Sequence, residues 1–136
     1  MGALKVISSK VSSTLERNTR EYGKNFMFDG CPDTCWNSDQ GETQHIVVKF
    51  DQTATIHRIR IQFQGGFAAR SCKVKVNNVV KDTIYPTDTN NIQDFHVNYT
   101  TSQIVLTFTE FTDFYGRLII YLLEFDEGES PDDKSS

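Results

Sequence analysis

Apolar and polar residues alternate with period two in several segments of this chain. In "RIRIQF", Ile59, Ile61 and Phe63 alternate with Arg58, Arg60 and Gln62, the pattern of a strand with one buried face. "SCKVKV" repeats it through Cys72, Val74 and Val76. "HIVVKF", "QDFHV" and "QIVLTFTEF" predict further strands, and "RLIIYLLEF", apolar on both faces, predicts a central one. Turn signals separate them at Asp51-Gln52, Gly65-Gly66, Asn77-Asn78, "YPTDTNN" and Asp113 to Gly116. From Ser13 to Phe28 mixed charges without an apolar stripe predict no more than one or two short helical turns. About seven short strands at spaced intervals point to an all-β domain, a sandwich or a barrel. The chain shows no internal repeat and no second domain.

Composition supports that reading. The 136 residues are 38% hydrophobic and include ten Phe, enough for a core that needs no disulfide staples. No apolar run approaches the roughly 20 residues that a membrane-crossing helix requires. The start, "MGALKVISSK", has neither a secretory signal nor, with Val6 at the sixth position, a myristoylation site, so an intracellular chain is expected. The net charge of −4 lies wholly in "DEGESPDDKSS", residues 126–136, which reads as a disordered acidic tail after a domain spanning 1–125. The body carries 13 acids and 13 bases, so it offers no footprint for direct nucleic-acid binding. Arg58, Arg60, Lys73 and Lys75 form either a basic stripe or the solvated side of a half-buried sheet.

The densest chemistry sits in "DGCPDTCWNSDQG", residues 29 to 41. Cys31 and Cys35 are four apart, Cys72 stands alone, and His45, His57 and His96 lie outside ligand spacing; neither zinc nor a disulfide pair is expected. Asp29 and Thr34 are suited to closing the loop on backbone amides. No nucleophile elbow, phosphate loop or paired metal-binding histidine motif is present, so an enzyme is not expected. "QGGF" lies between strands rather than ahead of a helix, which argues against a phosphate cradle. Asn98-Tyr99-Thr100 spells a glycosylation acceptor but reads as a plain turn.

Asp29, Gly30, Thr34, Trp36 and Ser38, followed by "HIVVKF", "IHRIRIQF" and the closing "IIYLLEF", resemble the discoidin, or galactose-binding-like, superfamily. The resemblance spans roughly residues 6 to 125. More specifically, "RNTREYGK", "TCWNSDQG", "IQFQGGF" and "TDFYGRLIIY" are similar to the corresponding blocks of the small nuclear receptor-associated repressor proteins. The resemblance implies a jelly-roll antiparallel β-sandwich acting as a non-enzymatic, monomeric protein-binding module, nuclear or cytoplasmic, that dampens receptor-driven transcription. It requires no cofactor. It does imply a Ca²⁺ site between the loop and the last strand: side chains of Asp29, Thr34 and Glu124, with main-chain oxygens of Phe26, Cys31 and Leu123. Glu124 is the discriminating residue, because it either joins the metal or pairs with an arginine.

In the superfamily, ligands meet loops at one end of the sandwich. The candidates here are Arg20, Trp36, Asn37, Ser38, Asp39 and Gln40, then Gln62, Gln64, Phe67 and Arg70, then Asp113, Phe114, Tyr115 and Arg117. Trp36 is either a ligand contact or core under the loop. Phe67 is either an exposed anchor or tucked over the sheet edge. Arg117 bonds Asp39, Asp113 or an acidic group of a partner. A carbohydrate-binding module is the alternative function, since aromatics and amides at such a rim also suit sugars.

Overall fold

The computed structural model describes residues 4–127, so residues 128–136 of the acidic tail lie outside the described residues. Among the described residues there are seven strands: β1 (Val6–Val11), β2 (Trp36–Asn37), β3 (Gln44–Phe63), β4 (Ala69–Val76), β5 (Val79–Ile84), β6 (Gln93–Phe111) and β7 (Ile119–Asp126). Between β1 and β2, the short helix α1 (Thr19–Tyr22) is flanked by 3₁₀ turns at Leu15–Arg17 and Lys24–Met27. Helical turns therefore form where they are expected, but as three short pieces rather than one or two. Asn18 caps α1, its side chain accepting the Glu21 amide.

Two strands organise everything else. β3 runs for 20 residues and β6 for 19, antiparallel along their length. The first half of β3 and the second half of β6 join β1, β4 and β5 in one layer; the other halves join β7 and β2 in a second. Both strands bend together from one layer to the other, with register shifts between Lys49 and Ala54 and between Ile56 and Arg58. The sequence reading broke each of them in two. At Asp51-Gln52 the chain does not reverse: with no glycine or proline there, the exposed polar residues bulge from an extended corner. The result is the antiparallel β-sandwich.

The core lies between the layers. Phe50 of the first meets Phe125 of the second edge-on at 5.4 Å, and Phe63 meets Phe108 at 6.2 Å. Ile46, Val48, Ile59, Ile61, Leu106 and Leu123 fill the space around them. Cys72 is buried on the core face of β4, and burial pushes its thiol pKa up, which keeps it an inert apolar group.

Arg58 and Arg60 share no stripe with Lys73 and Lys75, because they stand on different layers. Each arginine is paired within its own. Arg58 bonds Asp126 and Arg60 reaches Asp94 at 3.0 Å and Glu124 at 3.3 Å, all across neighbouring strands. Asp126, counted with the tail from composition, ends β7 and is buried. No helix among the described residues is long and apolar enough to cross a membrane.

Candidate recognition rim

The loop from Asp29 to Gly41 is held from beneath. Asp29 Oδ1 accepts the Cys31 amide at 2.9 Å, and Thr34 Oγ1 donates to Asp29 Oδ2 at 2.5 Å. Gly30 takes φ 70°, a value favoured by glycine. Thr34 Oγ1 is also 3.5 Å from the Phe26 carbonyl and 3.4 Å from that of Cys31. One carboxylate, one hydroxyl and two carbonyls thus converge, the hard oxygen donors that Ca²⁺ takes, though short of its usual six to eight ligands. Glu124 stands directly opposite Arg60 and bonds it, the arginine outcome of the sequence reading. Leu123 is a buried residue of β7 opposite Ile61. Among the described residues no three His, Cys, Asp or Glu side chains cluster for a metal. Cys31 and Cys35 are free and half-buried; Cys35 donates to Asn37 Oδ1, and desolvation raises its pKa.

Of its two alternatives, Trp36 takes the core and not the ligand contact. It is fully buried, pairs with Ile120 across β2 and β7, and donates its indole N–H to the Ser13 carbonyl at 2.9 Å. A ligand cannot reach it. Ser38 is likewise buried: it exchanges hydrogen bonds with Leu118 at 2.8 Å, so both residues fasten the loop to the strand that follows the rim. Asn37 pairs with Ile119, and Asp39 accepts the Gln40 amide on its own side chain.

The rim itself forms where this loop meets residues 112 to 117. Gln44 is the joint. Buried, it accepts Ser12 and Ser13 hydroxyls on Oε1 and donates from Nε2 to the carbonyls of Asp39, at 2.7 Å, and Gly116, at 3.2 Å. Gly41 and Gly116 close the gap, a Cβ on Gly116 falling 1.8 Å from the Gly41 carbonyl oxygen. Sequence reasoning missed Gln44, although a polar residue two before Ile46 occupies a core position of its strand. Such a residue needs buried partners.

Above this joint an open cleft of about 510 Å³ is lined by Gln40, Gly41, Glu42, Phe111 and the 113–116 turn. Asp113 braces the turn: its carboxylate accepts the amides of Tyr115 and Arg117 and, from the Arg117 guanidinium, Nε at 3.0 Å and Nη2 at 3.1 Å. Arg117 thereby holds the Asp113 carboxyl below its usual pKa. The same guanidinium lies 5.3 Å over the Phe67 ring and 5.4 Å from that of Tyr115. Phe67 is tucked beneath it, half-buried, rather than presented as an anchor. What the brace presents is Phe114, 92% exposed, edge-on to Tyr115, 56% exposed.

Other candidates fall outside the cleft. Gln64 accepts the Tyr121 hydroxyl, and Gln62 donates to the Asn90 carbonyl. Arg20 is exposed on α1 and Arg70 at the start of β4, neither lining the cleft. The amides of Gly65 and Gly66 are taken by Asn90 and Asp88 side chains, at 2.6 and 2.8 Å, so "QGGF" offers no anion cradle.

The fold is thus a two-layer antiparallel sandwich that presents braced, exposed aromatics at one loop end. The chain belongs to the F5/8 type C domain family, whose model matches residues 8–112, and within it to the nuclear receptor-associated proteins. It is 40% identical over 123 residues to nuclear receptor 2C2-associated protein of Danio rerio, covering 85% of this chain and 87% of that one. To the protein of that name from Xenopus tropicalis it is 41% identical over 125 residues, covering 88% and 92%. Among solved structures, an F5/8 type C domain of Bacteroides fragilis superposes with TM-score 0.77 at 12% identity, covering 96% of this chain and all of that one. A family 32 carbohydrate-binding module of C. perfringens NanJ, in complex with galactose, gives TM-score 0.72 at 14% identity, covering 87% and 91%.

Proposed function

We propose that this chain is a non-enzymatic protein-binding module of the cell interior that associates, as a monomer, with a nuclear receptor and restrains the receptor's access to DNA. The observation that carries the reading is Phe114 and Tyr115 standing exposed on a turn rigidly braced by Asp113 and Arg117. Rigid, exposed aromatics are the side chains that anchor protein interfaces, because they bury much area and lose little entropy. The names of relatives about 41% identical support the class of partner. The test is a pull-down of purified receptor of that class, with gel shifts of its DNA element. Wild-type chain should capture the receptor and reduce its DNA occupancy. A Phe114→Ala/Tyr115→Ala variant should lose capture while its thermal melt still shows a folded chain. Capture that survives this double substitution removes the rim from the reading; no capture by the wild type removes the receptor.

Two additions rest on separate observations. A sugar is the second ligand class, favoured by an open cleft that combines Gln40 and Glu42 with aromatics, as a galactose-binding relative in fold makes reasonable. Saturable glycan-array binding, lost in the same double variant, is its test; Trp36→Ala is not, since Trp36 is core. Ca²⁺ is the second addition, favoured by the convergent oxygens of Asp29, Thr34, Phe26 and Cys31. There it would tie the loop together. Millimolar Ca²⁺ should then raise the melting temperature by mass action, and Asp29→Ala should abolish the rise.

A further inference from the structure

The outer face of the β1–β3–β6–β4–β5 layer is basic, and no ion pair among the described residues neutralises it. The register places Lys10 opposite Val47, Val47 opposite Val105, Val105 opposite Lys75, and Lys75 opposite Val80, a row that crosses five strands. Lys49 lies two residues from Val47 on the same face, opposite Gln103, and Lys73 lies two residues from Lys75, opposite Thr107. These four lysines are exposed, while the alternating neighbours Ile46, Val48, Val74 and Val76 are core. None of the ion pairs among the described residues involves them. No acid occupies these rows. The even balance of the body thus hides a division among the described residues: the second layer pairs Arg58 and Arg60 with acids, and the first leaves these lysines without an ion pair.

We propose that this face docks an extended, acidic segment of a partner protein, its carboxylates over Lys10, Lys49, Lys73 and Lys75 and its apolar side chains on the valines between. Three features select a polypeptide over a polyphosphate. Lys73 and Lys75 are two strand residues apart, about 6.6 Å, the repeat of carboxylates at alternate positions of an extended chain. Val47, Val105 and Val80 interrupt the charge with apolar surface, and Val80, with Val79 beside it, is about half exposed (47% and 53%) on the edge strand β5. The rows hold no arginine to grip phosphate in bidentate fashion, and their one ring, His45 opposite Thr107, has no second aromatic beside it on which a run of bases could stack. The face is separate from the rim, so its failure leaves the rim untouched.

The probe is a fluorescent decapeptide of alternating Glu and Val, titrated into the full chain by anisotropy. Binding should saturate, weaken steeply between about 50 and 500 mM salt, and fall about tenfold or more in Lys73→Glu/Lys75→Glu, as attraction becomes repulsion. Lys49→Glu alone should fall less, and thermal melts should show each variant folded. Duplex DNA and anionic vesicles of equal charge should compete poorly. Unchanged affinity in the double variant overturns the proposal. So does tighter, face-dependent binding of DNA or vesicles, and so does peptide binding seen only after residues 128–136 are removed, which would give the face to the chain's own acids.

Discussion

Gly116 is the residue on which the rim turns. Its φ of 77° lies where glycine is favoured, and its Cα faces the Gly41 carbonyl too closely for any side chain. Gly116→Ala should therefore cost at least about 2 kcal/mol, backbone strain and a clash together, read as a lower urea midpoint. Beside it, Asp113 makes the rim sensitive to acid. Its folded pKa is depressed by Arg117, so its contribution is fully present above the unfolded value of about 3.9 and is lost as pH falls through the lower folded value. Asp113→Asn should melt earlier at neutral pH and lose less stability than wild type below about pH 4, as melting curves across pH 2.5 to 6 will show. Phe114 and Tyr115 were visible in the sequence as aromatics of a turn. That Phe67 would lie under Arg117 was not, because a side chain two glycines from a strand has no periodicity to fix its direction.

Alternation was the readable signal for elements wherever one face is core, as in Ile59, Ile61 and Phe63 of β3. It failed at Asp51-Gln52, since a polar break is written the same way whether the chain reverses or bends around a corner. Only pairing across the fold, Ala54 with Thr101 and Ile56 with Tyr99, distinguishes the two. β5 was unmarked because its residues are mostly exposed, leaving no alternation to read. Its turn, however, was legible. Asn77 and Asn78 take φ 54° and 65°, the paired left-handed values of a type I′ hairpin. Asn78→Gly should accordingly stabilise the chain by up to about 0.5 kcal/mol and Asn78→Val should cost about 1–2 kcal/mol, measured by urea denaturation. A reversed order would mean that the turn does not set the register of β4 and β5.

For the whole molecule, composition located the charge but not its partners. It assigned Asp126 to an acidic tail by counting neighbours in sequence, whereas β7 places that carboxylate against Arg58, where only 6% of it is exposed. The row of Arg60 with Asp94 and Glu124 is built alike, yet its three groups are 31–43% exposed, and solvent screens them. Removing Glu124 should thus matter less than removing Asp126, even though Glu124 draws attention as the carboxylate expected at a metal. Asp126→Ala leaves Arg58 without its main partner, and because that guanidinium is 38% exposed and keeps access to water, the cost should be about 1–2 kcal/mol rather than that of a fully buried pair. Glu124→Ala should cost about 0.5 kcal/mol or less. Urea midpoints of the two variants, measured in parallel at low and high salt, decide it. Asp126→Ala should stay the weaker of the two at both, and a Glu124→Ala loss exceeding it would show that Glu124 holds something besides Arg60.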